Sequence, residues 1–221
     1  MAPLVNACFA DTRPFTPMGK TTTPSIAVLM PVYNPPERWL RRAIDSVRAQ
    51  SYPNWHLCIA DDASPAPHVA RVLAEATASD QRIRVVHRPR NGHISEASNS
   101  ALALADGEFV ALLDHDDELH PDALLHMAEA IHRHPSAGVL YSDEDKIDEQ
   151  GRRYEPYFKP RFDPDLLLGQ NCVFRRSRTW SRPGAAPWPT TSRARASWPR
   201  FRRSLAATCP YVAPCRRPRR R

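Results

Sequence analysis

The sequence predicts an α/β fold: a Rossmann-like, three-layer α/β/α arrangement around a mainly parallel sheet. From Ser25 to about Tyr141, short apolar runs alternate with amphipathic stretches. This order is typical of parallel strands joined by helical crossovers. The run Phe109–Leu113 is apolar throughout, as expected of a central strand that is covered on both faces.

The individual elements follow from the spacing of apolar residues along the chain. Strands are predicted at short apolar runs, and helices where apolar residues recur at intervals of three and four. The predicted strands are Ile26–Met30, Trp55–Ala60, Ile83–Val86, Phe109–Leu113 and Val139–Tyr141. The intervening helices are marked by Trp39, Leu40, Ala43, Ile44 and Val47, by Val69, Val72, Leu73 and Ala76, by Ile94, Ala97, Ala101 and Leu104, and by Leu124, Ala128 and Ile131.

Turn residues predict where two of these helices begin. Asn34 precedes two prolines, and Glu37 follows it by three residues, which is the pattern of a capped helix start. Pro121 is predicted to start the helix that follows the fourth strand. Trp39 is interpreted as a core residue by its spacing, and Cys58 as a small buried residue within a strand.

Acidic residues gather where the predicted strands end. Asp61-Asp62 follow the second strand, Asp114-His115-Asp116-Asp117 the fourth, and Asp143-Glu144-Asp145 the fifth. Parallel strands bring their carboxyl ends to one edge of the sheet, and ligands bind in the crevice beyond that edge. Carboxylates that share a crevice repel one another unless a cation lies among them. Their hard oxygen atoms suit Mg²⁺ or Mn²⁺.

The charge of the chain is divided unevenly. The net charge is +7, but residues 172–221 hold 14 Arg and no Lys, Asp or Glu, which leaves 17 basic and 24 acidic residues in the first 171. The segment also lacks Ile, Asn, Gln, His and Met, and it has no apolar period. We hypothesise that 172–221 is the out-of-frame translation of a GC-rich gene, with the shift near Asn171. A genuine disordered basic tail is the alternative.

Composition and motifs exclude several classes of protein. No run approaches the roughly 18 apolar residues of a membrane span, and residues 1–23, interpreted as a loose leader, lack the apolar region of a secretory signal. The five cysteines contain no CxxC pair, which indicates a reducing compartment and argues against a zinc ribbon or a disulfide scaffold. The absence of GxGxxG and Walker lysine loops argues against a dinucleotide cofactor and a P-loop NTPase.

The strand ends resemble those of family 2 glycosyltransferases with the GT-A fold. The matching segments are Pro31-Val32-Tyr33-Asn34, Ala60-Asp61-Asp62-Ala63-Ser64, Asn91-Gly92-His93-Ile94-Ser95, Leu112-Leu113-Asp114-His115-Asp116-Asp117 and Tyr141-Ser142-Asp143-Glu144-Asp145. The variant of the motifs in this chain looks like that of bacterial enzymes of surface polysaccharide or O-antigen assembly. The resemblance implies a GT-A nucleotide-sugar-binding domain over 24–171, incomplete at its C-terminal end.

The resemblance implies a donor site made of seven residues, of which Asp114 and Asp116 would also hold a metal ion. Pro31, Tyr33 and Asp62 would contact the base and ribose of a UDP- or dTDP-linked sugar, with Asp62 at the base. Asp143 and Asp145, at the end of the next strand, would flank the sugar. A saccharide or a lipid-linked acceptor would be the second substrate, and no specific nucleic acid is expected as a partner.

The same resemblance implies a divalent metal site. Asp114-His115-Asp116 would be the Asp-x-Asp element, in which Asp116 holds Mn²⁺ or Mg²⁺ and Asp114 belongs to the shell of the ion or faces the ribose. The leaving group is a nucleoside diphosphate, whose negative charge grows as the glycosidic bond breaks, and a metal acts there as a Lewis acid. The side chain of His115 is expected to point elsewhere.

No general base is identified. An inverting transfer needs a carboxylate that takes the proton of the acceptor hydroxyl, and in the family this acid lies well downstream, whereas the last acid of this chain is Asp165. We therefore expect a chain that binds the donor but transfers little or nothing. The expected location is the cytoplasm, with peripheral association at the inner membrane if the acceptor is lipid-linked.

Alternative interpretations stay open at this point. His115-Asp116 is compatible with a metal-dependent phosphohydrolase, and a nucleotidyltransferase on a related fold would need a Gly-rich basic loop after the first strand. The Arg-rich tail would bind nucleic acid without specificity. Taken alone, Asp61 and Asp62 fit a helix cap or a turn as well as they fit a ligand site. Arg88 is interpreted as a solvated side chain.

Overall fold

The computed structural model describes residues 23–134 and 137–159, together with three strands within 179–214. The predicted leader, apart from Thr23, and the segment 160–178 lie outside the described residues. The described elements are β1 (Ile26–Val32), α1 (Glu37–Arg48), β2 (Trp55–Asp61), α2 (Pro67–Ser79), β3 (Ile83–His87), α3 (His93–Leu102), β4 (Phe109–Leu112), β5 (Glu118–Leu119), α4 (Ala123–Arg133), β6 (Ala137–Tyr141), β7 (Glu144–Ile147), β8 (Arg153–Tyr157), β9 (Thr179–Ser181), β10 (Arg202–Leu205) and β11 (Tyr211–Pro214).

The larger sheet confirms the predicted α/β architecture. Its strand order is β11-β6-β9-β4-β1-β2-β3, and β4, β1, β2 and β3 run parallel to one another. Ile26 at the start of β1 lies opposite Trp55 of β2 and Phe109 of β4. The carboxyl ends of β1, β2, β3 and β4 therefore meet at one edge, where the acidic strand ends were predicted to converge.

The two faces of β1 divide the core into two layers. All seven residues of β1 are buried, because successive side chains point to opposite faces and both faces are covered. Ile26 and Val28 pack with the buried sides of α1, α2 and α4. Ala27 and Leu29 pack with α3 on the opposite face. The three-layer prediction is therefore confirmed.

The helix starts differ from the predicted ones. Asn34 does not cap α1: the helix begins at Glu37 with Pro36 before it, and the Pro36 carbonyl accepts the first amide hydrogen bonds. Two prolines separate Asn34 from the first turn. Asn34 has a left-handed backbone (φ 47°), and its N–H donates to Ser64 Oγ at 2.9 Å. Likewise, α4 begins at Ala123 rather than at Pro121.

The predicted inner face of α3 is only partly correct. Ala97 and Ala101 are buried, but Ile94 is 60% exposed because it lies in the first turn of the helix, beyond the packed part of the sheet. Leu104 follows the end of the helix. None of the four helices in the described part of the chain has the length and hydropathy needed to cross a bilayer.

A second, smaller sheet was not predicted. Its order is β5-β10-β7-β8, with β7 antiparallel to both β8 and β10. The sequence of β7 is Glu-Asp-Lys-Ile, which has no apolar alternation and therefore gives no strand signal. Its buried charges are paired by side chains from later in the chain, and a local pattern does not contain that information.

The segment from 172 onward was predicted to lack regular structure, but the structure places three short strands in it. β9 lies antiparallel between β4 and β6, and β11 lies antiparallel to β6. Strand pairing is made by backbone hydrogen bonds, so an apolar period in the sequence is not required for it. The rest of this segment lies outside the described residues, and its origin and the boundary at Asn171 stay predictions.

Candidate functional site

A cleft of about 510 Å³ opens at the carboxyl edge of the larger sheet. Three segments form its walls: the β1–α1 connection at 33–36, the loop after β4 with His115 and Asp116, and the β7–β8 hairpin from 147 to 154. The volume lies in the usual range of small-molecule sites. Crevices at this place in a parallel sheet are the usual ligand sites of such folds.

Two of the predicted site residues, Tyr33 and Asp116, line this cleft. Tyr33 directly follows β1 and is 49% exposed, so its ring is accessible to a ligand. Pro31 is buried within β1 and contributes its backbone carbonyl, which lies 3.1 Å from His115 Nδ1. The carbonyl can only accept, so Nδ1 carries the proton in this contact.

The His115 contact ties the acidic loop to β1. Within the loop, the Asp117 N–H donates to the Asp114 carbonyl at 3.1 Å, which closes a turn across 114–117. Asp114 and Asp116 are half-buried, whereas Asp117 is buried. The turn therefore presents Asp116 to the cleft, while the Nδ1 atom of His115 is engaged with the neighbouring strand.

The donor atoms of this loop fit a hard divalent ion. Among the described residues, no three His, Cys, Asp or Glu side chains are grouped so as to hold a metal by themselves. Asp116 nevertheless lines the cleft, and Mg²⁺ in particular is commonly held by one or two carboxylates together with water and phosphate oxygens. The chemistry of this wall suits an ion that arrives with a phosphorylated ligand.

Asp62 lies at the end of β2 but does not line the cleft. Its side chain is 3% exposed and pairs with Arg88, whose Nε lies 3.2 Å from Oδ1. The Gly92 N–H donates to both carboxylate oxygens, at 3.0 and 3.1 Å. Arg88 is itself only 13% exposed, so its interpretation as a solvated side chain is wrong. The predicted contact of Asp62 with a nucleobase stays a prediction.

Asp61, the other acid of this pair, shapes the turn after β2. Its Oδ1 accepts the Ser64 N–H at 3.0 Å, and its Oδ2 lies 3.0 Å from His87 Nδ1. Ala63, which lies between Asp61 and Ser64 in the chain, has a left-handed backbone (φ 60°), as such a tight turn requires. These contacts confirm the turn interpretation for Asp61.

Asp143 and Asp145 are buried and paired with protein groups. Asp143 Oδ1 accepts the Lys159 N–H at 2.7 Å, and Asp145 Oδ2 lies 2.5 Å from Arg153 Nε. Between them, Glu144 forms a buried ion pair with Lys159 at 3.4 Å. Neither aspartate is among the residues that line the cleft, so their predicted place beside a donor sugar stays a prediction.

Sequence reasoning missed one aromatic residue and one hairpin of the cleft. Trp39 was interpreted as core, but it lines the cleft, and the Arg38 guanidinium lies 4.2 Å from its ring centroid. The hairpin contributes Glu149 and Tyr154. A signal for it was present: Asp148 and Gly151 are turn-forming residues three positions apart, and Gly151 adopts φ 82° there.

Comparisons with known proteins point to one family. The sequence model of Glycosyl transferase family 2 matches residues 27–184. "Uncharacterized protein y4gI" of Sinorhizobium fredii is 54% identical over 150 residues, and "O-antigen biosynthesis protein RfbC" of Myxococcus xanthus is 42% identical over 150 residues. Each alignment covers 68% of this chain but only 16% and 12% of the two relatives, so the chain spans a small part of their length.

The fold of this chain is similar to that of solved structures of other proteins. S. aureus TarS 1-349 matches with a TM-score of 0.56 at 23% identity, over 71% of this chain and 47% of that chain. TarS 1-349 in complex with UDP matches with a TM-score of 0.50 at 27% identity, over 59% of this chain and 38% of that chain. The first likeness concerns the fold alone and agrees with the predicted GT-A architecture.

Proposed function

Because the chain belongs to glycosyl transferase family 2, we propose that its cleft binds a nucleoside-diphosphate sugar, UDP- or dTDP-linked. The sugar would be destined for a saccharide or lipid-linked acceptor in polysaccharide assembly. One observation carries the proposal: Tyr33 and Asp116, from two different strand ends, line the same cleft. Two comparisons support it, since TarS is described in complex with UDP and RfbC is named for O-antigen biosynthesis.

Different residues of the cleft would contact different parts of such a donor. The ring of Tyr33 offers an apolar face to the base or ribose, and the tether from His115 to the Pro31 carbonyl keeps the two strand ends together. Asp116, with Asp114, would hold Mn²⁺ or Mg²⁺. When bound, the ion would neutralise the diphosphate and favour its departure.

We infer an inverting reaction. The acceptor oxygen would form its new bond at the anomeric carbon on the face opposite the departing nucleoside diphosphate, while a base takes the hydroxyl proton. The printed sequence has no Asp or Glu after Asp165, so we propose that this chain alone binds the donor and transfers little sugar. We further propose a cytoplasmic location, with peripheral membrane contact where the acceptor is a lipid.

Calorimetric titration with UDP and with dTDP, each in Mn²⁺ buffer, tests the donor site. We expect saturable binding of one nucleotide that weakens about tenfold or more in Asp116→Asn, because a charge-assisted contact contributes about 1.5–3 kcal/mol. Asp45→Asn is the matched control, since Asp45 is an exposed acid on the outer side of α1. Binding of neither nucleotide, or equal losses in the two variants, would contradict the proposal.

A further inference from the structure

The β7–β8 hairpin forms a preformed wall of the cleft. Asp148 organises its turn: Oδ1 accepts the N–H groups of Gln150 and Arg152 at 3.0 and 2.8 Å, and Oδ2 accepts from Arg152 Nε at 2.7 Å. Partial desolvation opposes ionisation, but the hydrogen bonds from Arg152 hold the pKa of Asp148 below its ordinary value. Asp148 therefore stays ionised and fixed at neutral pH.

Arg38 joins this hairpin to the opposite wall. Its Nη2 donates to the Glu149 carbonyl, and its guanidinium lies 4.2 Å from the ring centroid of Trp39. A cation over an indole ring is a favourable contact that limits the motion of both groups. The hairpin and the Trp39 ring are therefore held relative to each other before any ligand enters, which lowers the entropic cost of binding.

The chemistry of the hairpin and of the Trp39 ring opposite it suits an uncharged, hydroxyl-rich ligand. Trp39 and Tyr154, which is 38% exposed, offer ring faces on which the C–H groups of a sugar can pack. Glu149 adds carboxylate oxygens, which accept hydrogen bonds from hydroxyl groups, whereas the carboxylate of Asp148 is already engaged by Gln150 and Arg152. No Lys or Arg is among the described residues that line the cleft. An additional negative charge beside the carboxylate of Glu149 would be repelled.

We propose that the β7–β8 hairpin recognises the sugar of the donor and selects a neutral hexose over a uronic acid. This inference rests on the proposed function, which puts the diphosphate near Asp116. The hairpin lines the same cleft as Asp116, so the group attached beyond the diphosphate comes within reach of Tyr154 and Glu149. Tyr154 supplies the ring surface, and Glu149 supplies the negative charge that disfavours a carboxylated sugar.

Titration of the full chain with UDP, UDP-glucose and UDP-glucuronate in Mn²⁺ buffer tests the proposal. We expect UDP-glucose to bind about three- to tenfold more tightly than UDP, as ring packing would give. UDP-glucuronate, which differs from UDP-glucose in one carboxylate, should bind roughly fivefold more weakly than UDP-glucose. All three ligands share the nucleotide, so their ratios isolate the contribution of the sugar.

Variants of the hairpin assign the effect to its residues. Tyr154→Ala should remove the preference for UDP-glucose over UDP, and Tyr154→Phe should keep it because the ring remains. Tyr157→Ala is the matched control, because Tyr157 belongs to the same strand and is 41% exposed but does not line the cleft. Glu149→Gln should bring the affinity for UDP-glucuronate closer to that for UDP-glucose, which is measured as the ratio of the two affinities.

The outcomes separate this proposal from the one on which it rests. Equal affinities for the three ligands in the wild-type chain, or equal effects of Tyr154→Ala and Tyr157→Ala, would overturn the role of the hairpin. Loss of UDP binding itself in a folded Tyr154→Ala chain would also overturn it, since the ring would then contact the nucleotide. Failure of the wild-type chain to bind UDP would instead contradict the donor site.

Discussion

Replacement of Arg88 by Met should destabilise the fold because it leaves the buried carboxylate of Asp62 without its cation. Arg88 Nε lies 3.2 Å from Asp62 Oδ1, and the two side chains are 13% and 3% exposed. Breaking a buried ion pair by removing one partner costs about 3–5 kcal/mol. The Gly92 N–H still donates to both oxygens of Asp62, so we expect the lower end of that range, about 3 kcal/mol.

Urea denaturation followed by circular dichroism measures this loss. It corresponds to a fall in Tm of roughly 6–12 °C for a domain of this size. A double-mutant cycle with Asp62→Asn isolates the pair from other effects of each substitution. The double variant should lose less stability than the two single variants together, by about 1–2 kcal/mol, because its neutral amide no longer needs a cation.

Additivity would refute the reasoning. If the losses of Arg88→Met and Asp62→Asn add to within about 0.5 kcal/mol, the two side chains do not depend on each other. Arg82→Met is a matched control, because Arg82 pairs with Asp80 at a comparable distance of 2.8 Å but its side chain is 43% exposed. We expect this control to change the free energy of unfolding by less than about 1 kcal/mol.

Three further predictions concern other parts of the fold. Gly107→Ala should cost about 1–3 kcal/mol by overpacking, since a Cβ there would lie 2.9 Å from the Ala27 backbone nitrogen. Gly151→Ala should cost about 1–2 kcal/mol through its left-handed backbone (φ 82°), since a Cβ there would meet only Arg42 Nη2 at an ordinary 3.5 Å; urea titrations that give the larger loss for Gly151→Ala would contradict the packing. Burial lowers the pKa of His56 below its ordinary value, so the unfolded chain takes up a proton more readily, and the free energy of unfolding should fall as the pH drops below about 6.5. If the urea midpoint of His56→Gln falls with pH as steeply as that of the wild type, His56 does not cause the pH dependence. Burial raises the pKa of the Cys58 thiol to about 11, so iodoacetamide should alkylate it only after unfolding, and peptide mapping that finds Cys58 modified in the native chain would contradict its burial.

The central strands and the helical faces could be predicted because their signals are local. Ile26–Met30 is an apolar run, and all its residues are buried in β1. Val69, Val72, Leu73 and Ala76 recur at helical spacing, and all four face the core from α2. In such segments, the residues that decide the structure are neighbours in the chain, so a short window of sequence is sufficient.

The second sheet could not be predicted because its stabilising contacts are distant in sequence. Glu144 is buried beside Lys159, fifteen positions away, and the charged strand β7 looks like a surface loop until that partner is known. The environment of the Trp39 ring likewise involves a distant segment, because Arg38, which lies over the ring, donates to the carbonyl of Glu149 in the hairpin. Apolar spacing therefore placed Trp39 in the core.

The acidic strand ends were predictable as a group, but their individual environments were not. The topology brings the ends of β1, β2 and β4 to one edge, as parallel pairing requires. Whether an acid faces the cleft depends on loops that differ from strand to strand. Asp116 lines the cleft, whereas Asp62 is enclosed by Arg88 and Gly92, which lies 30 positions further along the chain.

A crystal structure of the chain soaked with UDP and Mn²⁺ would test the donor site most directly. We predict electron density for the nucleotide in the cleft, with its diphosphate beside Asp116 and its base or ribose against the ring of Tyr33. Density that lies against the Arg-rich segment instead would contradict the donor site, as would an empty cleft at a UDP concentration that saturates binding in solution.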